Sequence, residues 1–163
     1  MTTLTYERHK GHASGYDVVA LGYNYRTDEI HSAIGLCQLK KIDALNEKRR
    51  TVYRWYVEAL ADNKNIIVPF ADRDVQLATC HIMPVIIKEN YAENKNKLTK
   101  ARIQSSKHYD LITMFTAFRQ PFESKVSDLQ NILTLPLSPI MTREQVQEIA
   151  SILKEHRAIE LGS

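Results

Sequence analysis

Glycine is nearly missing from this chain, with five in 163 residues and none from 36 to 161. That gap excludes a glycine-rich loop cradling a phosphate over most of the chain, because such loops need backbone that approaches its ligand without a Cβ. No Gly-x-Ser-x-Gly turn and no His-Glu-x-x-His helix occur, which removes the nucleophile-elbow and zinc-protease readings. Cysteine is equally scarce. Cys37 and Cys80 do not form a Cys-x-x-Cys pair, so neither a zinc site nor a dithiol redox centre is expected, and a cytosolic chain keeps both reduced. The histidines are scattered, and His9 with His12 has no second ligand cluster, so no metal is expected. No apolar stretch approaches the roughly 20 residues of a membrane span. The N-terminus shows no apolar run after its charges, as a secretory signal would. The expected location is the cytoplasm, with no membrane partner.

The charge is a mild +3. Its densest basic cluster, Lys40, Lys41, Lys48, Arg49 and Arg50, is interleaved with Asp43 and Glu47 and lacks accompanying aromatics. It reads as a solvated helix face, and no nucleic-acid partner is expected. A hydrophobic share of 44% and a charged share of 25% are ordinary for a globular protein. The length suffices for one domain with a real core.

Residues 1–26 read as an irregular lead-in with no period of its own, which has to lie against something else. Thr27 can cap a helix whose first turn carries Asp28 and Glu29, where the helix dipole favours negative charge. Ile30, Ala33, Ile34, Cys37, Ile42, Leu45, Val52, Trp55, Tyr56 and Leu60 then recur at helical spacing. Unbroken over 27–62, this helix would outreach a small domain, so it bends or serves an interface. Residues 63–163 alternate between strands and helices. Ile66 to Pro69 is a short edge strand, because proline donates nothing to a ladder. His81 to Ile87 is a second strand, 92–101 a helix, Ser105 to Tyr109 a third strand, and Ile132 to Leu137 an extended segment. Thr142 and Gln145 form a capping box, Met141 and Val146 its hydrophobic staple, and Val146, Ile149 and Leu153 line one face of the last helix. The fold class is α+β, a small antiparallel sheet covered by helices plus one long N-terminal helix. Three parts follow: a lead-in 1–26, a connecting helix 27–62 and a small domain 63–163.

These residues alone imply no reaction. A longer pattern does. Gly22-Tyr23-Asn24-Tyr25-Arg26 leads into Ala33-Ile34-Gly35-Leu36-Cys37-Gln38-Leu39, and this resembles the signature of the DegT–DnrJ–StrS nucleotide-sugar aminotransferases. Ile103 to Tyr109 resembles that family's strand ending in His-Tyr, followed by Phe115-Thr116-Ala117-Phe118. Leu133 to Pro139, then Met141-Thr142 and Glu144-Gln145-Val146, resembles the block before its last helix.

The resemblance implies a type I aminotransferase fold, of which this chain matches the C-terminal part. It implies pyridoxal phosphate in the complete enzyme, held on a lysine upstream of the Gly-Tyr-Asn-Tyr-Arg turn. No lysine here has that setting; Lys10, beside Gly11, is the nearest imitation. The upstream aspartate for the pyridine nitrogen and the ring-stacking aromatic have no counterpart either. The expected function is therefore that of a C-terminal fragment of an enzyme transferring an amino group to a nucleotide-linked keto-sugar. Alone it is expected to bind no cofactor and to lack competence, since the lysine carries the chemistry. A non-catalytic dimerisation or sugar-nucleotide-binding module is the alternative.

By the same resemblance Asn24 reaches a neighbouring subunit's cofactor phosphate, and Arg26 lies near that cross-subunit site. On the residues alone, Asn24 is equally a turn residue and Arg26 a surface cation at a helix start. His108 and Tyr109 match a pair facing the nucleotide-sugar substrate, or else are a strand-end histidine and a half-buried tyrosine. His9, Lys10 and His12 match a loop brought near substrate in some members. The expected partners are a second copy through residues 1–60 and a large domain that can be a separate chain. Two departures stand out. Asp110, Leu111 and Thr113 replace prolines and a second histidine after His-Tyr, and Arg102 replaces the glycine that ends the preceding helix with a left-handed cap.

Overall fold

The structure, a computed structural model, describes residues 21–23, 25–112, 115–118 and 131–154. By its contacts the chain divides into two units, residues 1–41 and 42–163.

In the first unit, helix α1 spans Glu29–Leu39. Its cap is Asp28 and not Thr27, a shift of one residue from the expectation. Asp28 Oδ1 accepts the backbone N–H of His31 at 2.9 Å, and Oδ2 lies 2.6 Å from His31 Nδ1. A carboxylate can hold both groups of the N3 residue at once, which a hydroxyl at Thr27 cannot. No residue of α1 is buried, and Ile30, Ile34, Leu36 and Leu39 are exposed.

The apolar periodicity runs on, but the helix does not. Lys40 and Lys41 form a turn, with the Lys41 N–H bonded to the Gln38 carbonyl at 3.0 Å, three residues back. Helix α2 then spans Ile42–Leu60 in the second unit. Here the expected face is buried: Val52, Tyr56 and Leu60 recur at four-residue spacing, with Tyr53 beside them. Part of the basic cluster is tied down along α2. Glu47 takes Arg50 at 2.9 Å and Arg54 at 3.1 Å, and these two guanidiniums hold its carboxyl below the ordinary carboxylate range.

Strands β1 (Ile66–Ile67), β2 (Met83–Ile87) and β3 (Ile132–Leu135) form an antiparallel sheet in that order. Met83, Val85 and Ile87 alternate onto one face with Leu133 and Leu135. That face is closed by α2, by α3 (Tyr91–Lys100) through Leu98, and by α4 (Arg143–Lys154) through Val146, Ile149, Ala150 and Leu153. The result is the helix-covered small sheet expected from the sequence.

The brevity of β1 has a covalent cause. Ile67 pairs with Ile86, and the Lys88 N–H continues the ladder by donating to the Asn65 carbonyl at 2.9 Å. Extended the other way, the same register sets Pro69 opposite Pro84. That position needs two N–H donors, and neither residue has one. Proline also sits in the central strand at no cost to the β2–β3 ladder. Its partner Thr134 turns both backbone groups outward to Ser106, at 2.7 and 3.2 Å. The strand expected over Ser105 to Tyr109 is reduced to this one bridge.

At α4 the capping box forms as expected: Thr142 N–H donates to Gln145 Oε1 at 3.0 Å, and Gln145 N–H to Thr142 Oγ1 at 3.4 Å. At the end of α3 the left-handed cap also survives, although its residue is Arg102 with φ of 59°. Ile103 N–H reaches the Leu98 carbonyl at 2.9 Å and Arg102 N–H the Thr99 carbonyl at 3.0 Å, the paired bonds of a Schellman ending. Left-handed backbone costs a side-chain-bearing residue about 1–2 kcal/mol. Burial of one aliphatic side chain such as Leu98 contributes about 1.5–3 kcal/mol, so packing outweighs the strain. Arg102→Gly should remove that strain, offset by about 0.5–1 kcal/mol of extra freedom in the unfolded chain. A net gain of about 0.5–1 kcal/mol is expected, read as a higher urea midpoint at unchanged slope. A lower midpoint would contradict the assignment.

Candidate functional site

Of the residues singled out by sequence, Arg26, His108 and Tyr109 are described. Asn24, His9, Lys10 and His12 lie outside the described residues. Arg26 is exposed in the extended stretch before the Asp28 cap, next to Tyr25, whose ring lies 5.8 Å from that of Tyr23. His108 and Tyr109 belong to the second unit and are brought together: their rings meet edge to face at 5.0 Å and 87°. His108 is half-buried, whereas Tyr109 is exposed. Lys107 and Asp110 flank the two rings and pair with each other.

Sequence reasoning missed one residue of this group. Ser106 Oγ lies 3.1 Å from His108 Nδ1. Side chains two apart on an extended chain share a face, so a Ser-x-His spacing was the available signal. Ser106 is held in turn by its double bond to Thr134. Thr134 Oγ1 is buried and has no hydrogen-bond partner among the described residues.

Two of the grooves among the described residues lie away from this pair. One of about 510 Å³ is bordered by Tyr53, Phe70, Leu77, Cys80, His81 and Pro84. It is largely apolar, Arg73 stacks over Phe70 at 4.4 Å, and burial pushes the Cys80 thiol up against the opposing pull of Arg50 and Arg54. A second, of about 490 Å³, includes Lys88, which follows β2. Its ammonium donates to the Lys64 carbonyl at 2.8 Å, and the lining holds no aromatic to stack on a pyridine ring. Among the described residues no group of three His, Cys, Asp or Glu could hold a metal, and no helix is long and apolar enough to cross a membrane.

The sequence matches the DegT/DnrJ/EryC1/StrS aminotransferase family over residues 3–154. The chain belongs to that family. Among its relatives, the Helicobacter pylori UDP-4-amino-4,6-dideoxy-N-acetyl-beta-L-altrosamine transaminase is 28% identical over 155 residues, covering 89% of this chain and 41% of that protein. The Aneurinibacillus thermoaerophilus dTDP-3-amino-3,6-dideoxy-alpha-D-galactopyranose transaminase is 26% identical, covering 91% and 42%. In structure, a DegT/DnrJ/EryC1/StrS aminotransferase from Brucella abortus superposes with a TM-score of 0.71 at 26% identity, over 86% of this chain and 38% of that one. The chain thus spans about two fifths of the length of the relatives it matches. The fold of this DegT/DnrJ/EryC1/StrS segment is that of the aminotransferase small domain with its adjoining helices.

At the start of α1 the electrostatics are testable. The His31 backbone N–H, then its ring, holds the Asp28 carboxylate in its charged form and lowers its pKa below the ordinary range. A folded pKa below the unfolded one means that the cap contributes fully above the unfolded value and is lost as pH falls through the lowered one. The Asp28 carboxyl carbon should therefore titrate at a lower pH than a free aspartate, with the His31 amide shifting alongside. A midpoint at or above the free value contradicts the cap.

Proposed function

We propose that this chain supplies the small-domain part of a pyridoxal-phosphate-dependent aminotransferase that transfers an amino group to a nucleotide-linked keto-sugar, in amino-sugar or polysaccharide biosynthesis. The observation that carries the reading is the family match over residues 3–154, which includes Asn24, Arg26 and the pair His108–Tyr109. In the complete enzyme the cofactor supplies the electron sink for amino transfer. This chain's own contribution is to bind and orient. The Asn24 amide would hold a phosphate oxygen of the neighbouring subunit's cofactor by a neutral hydrogen bond, and Arg26 would offer a charged fork at the same place. His108 and Tyr109, with His9, Lys10 and His12, meet the nucleotide sugar. The cofactor-anchoring lysine and the contacts to the pyridine ring belong to the large domain, so the chain alone is not competent.

The test is reconstitution. The large domain of a close relative, cut at the equivalent point and mixed with this chain, should restore amino transfer from glutamate to a nucleotide-linked keto-sugar. Asn24→Ala should then weaken cofactor retention roughly two- to tenfold, the worth of one neutral hydrogen bond of about 0.5–1.5 kcal/mol. Arg26→Ala should cost more, because charge-assisted bonds are about twice as strong. If both variants retain cofactor and turn over like the parent, the cross-subunit roles are wrong.

Association offers a second test. Exposed Leu21, Tyr23, Tyr25, Ile30, Ile34, Leu36 and Leu39 crowd one short stretch, more apolar surface than a stable monomer usually leaves open. The chain should sediment as a dimer or larger species through residues 1–60. Monomer across a wide concentration range counts against this.

A further inference from the structure

We propose that Ser106 is a positioning residue for His108: its hydroxyl holds Nδ1 and commits the neutral ring to the Nε2–H form, so that His108 presents one N–H donor to an acceptor oxygen of the nucleotide sugar. The inference deepens the proposed function and rests on its placing of His108 at the substrate.

The geometry supplies each step. Ser106 is pinned to the outer edge of β3 by two backbone bonds with Thr134, at 2.7 and 3.2 Å. Its side chain therefore starts from a fixed Cα, and its hydroxyl meets Nδ1 at 3.1 Å on the face shared by residues two apart. A hydroxyl can donate or accept, and a neutral imidazole has one nitrogen of each kind. Were Ser106 to accept, its own proton would have to turn to solvent, because Ser106 Oγ has no other bond among the described residues. Donation to Nδ1 satisfies that proton and leaves the hydrogen on Nε2. Nε2 has no protein partner among the described residues, so its N–H is available to a ligand. The Tyr109 ring stands edge to face with it at 5.0 Å and 87°. The Lys107–Asp110 pair keeps both flanking charges matched.

The test reads the tautomer directly. Long-range proton–nitrogen correlation on the full chain with labelled histidine, at a pH where the ring is neutral, reports both nitrogens of His108. Nδ1 should be the unprotonated nitrogen and Nε2 the protonated one. Ser106→Ala should lower the ratio of the two forms roughly two- to tenfold, the worth of one neutral hydrogen bond, and Ser106→Thr should restore it. A proton on Nδ1 in the parent chain, an unchanged ratio in folded Ser106→Ala, or no recovery in Ser106→Thr would each overturn the assignment. The measurement uses no nucleotide sugar. Its failure removes Ser106 from the site and leaves the aminotransferase reading standing, whereas failure of reconstituted amino transfer leaves the tautomer result intact.

Discussion

The sheet of the second unit has two faces, and its stability depends on covering one of them with helices. Met83, Val85, Ile87, Leu133 and Leu135 present a continuous apolar surface, and α2, α3 and α4 close over it through Tyr56, Leu98, Val146 and Leu153. Three strands with one hydrophobic face are about the least that holds together in water. Tyr56 shows how firmly the cover sits: it is fully buried, burial pushes its hydroxyl far above the ordinary tyrosine range, and it donates to the Pro136 carbonyl at 2.8 Å. That bond ties α2 to the residue that follows β3, so separating helix from strand breaks it.

Backbone bonding then hands this rigidity to the candidate site. Thr134 belongs to β3, whose alternate residues face the core, yet its own N–H and carbonyl point away from β2 and toward Ser106. One residue thus joins the core sheet to the segment carrying His108 and Tyr109. The side chains that would meet a ligand sit on a loop, and the loop is registered on the sheet by a single bridge. This is the usual division between a stable scaffold and the residues it displays.

Much of this could be read from sequence, because the signals were local and strong. The α4 capping box, its buried Val146, Ile149 and Leu153, and the β-branched run of β2 each follow from a short pattern that packing reinforces. The length of the apolar pattern called for a bend or an interface, but its place at Lys40–Lys41 could not be seen, since no glycine or proline marks it and apolar spacing continues through it. Arg102 kept a conformation that its residue type disfavours, because Leu98 and Ile103 around it are anchored in the core. The short bridge at Ser106 was overread as a strand for a related reason: composition registers extended backbone, but not how many partners it finds. For the site the balance differs. His108, Tyr109, Asn24 and Arg26 stood out only through likeness to a family, whereas Ser106 needed the fold to bring its hydroxyl to the histidine.

Two prolines at one register position have a further effect, on what the sheet refuses. An unfinished ladder normally offers a row of free donors on which a foreign strand can grow. Here the ladder between the first two strands stops where Pro69 would face Pro84, and Pro84 turns a nitrogen without hydrogen toward the vacated edge. A strand arriving at that edge from another molecule would find no donor there at Pro84. On the opposite side the docking groups of Thr134 are already taken. Lateral growth of this sheet is hindered at these two positions by backbone chemistry alone.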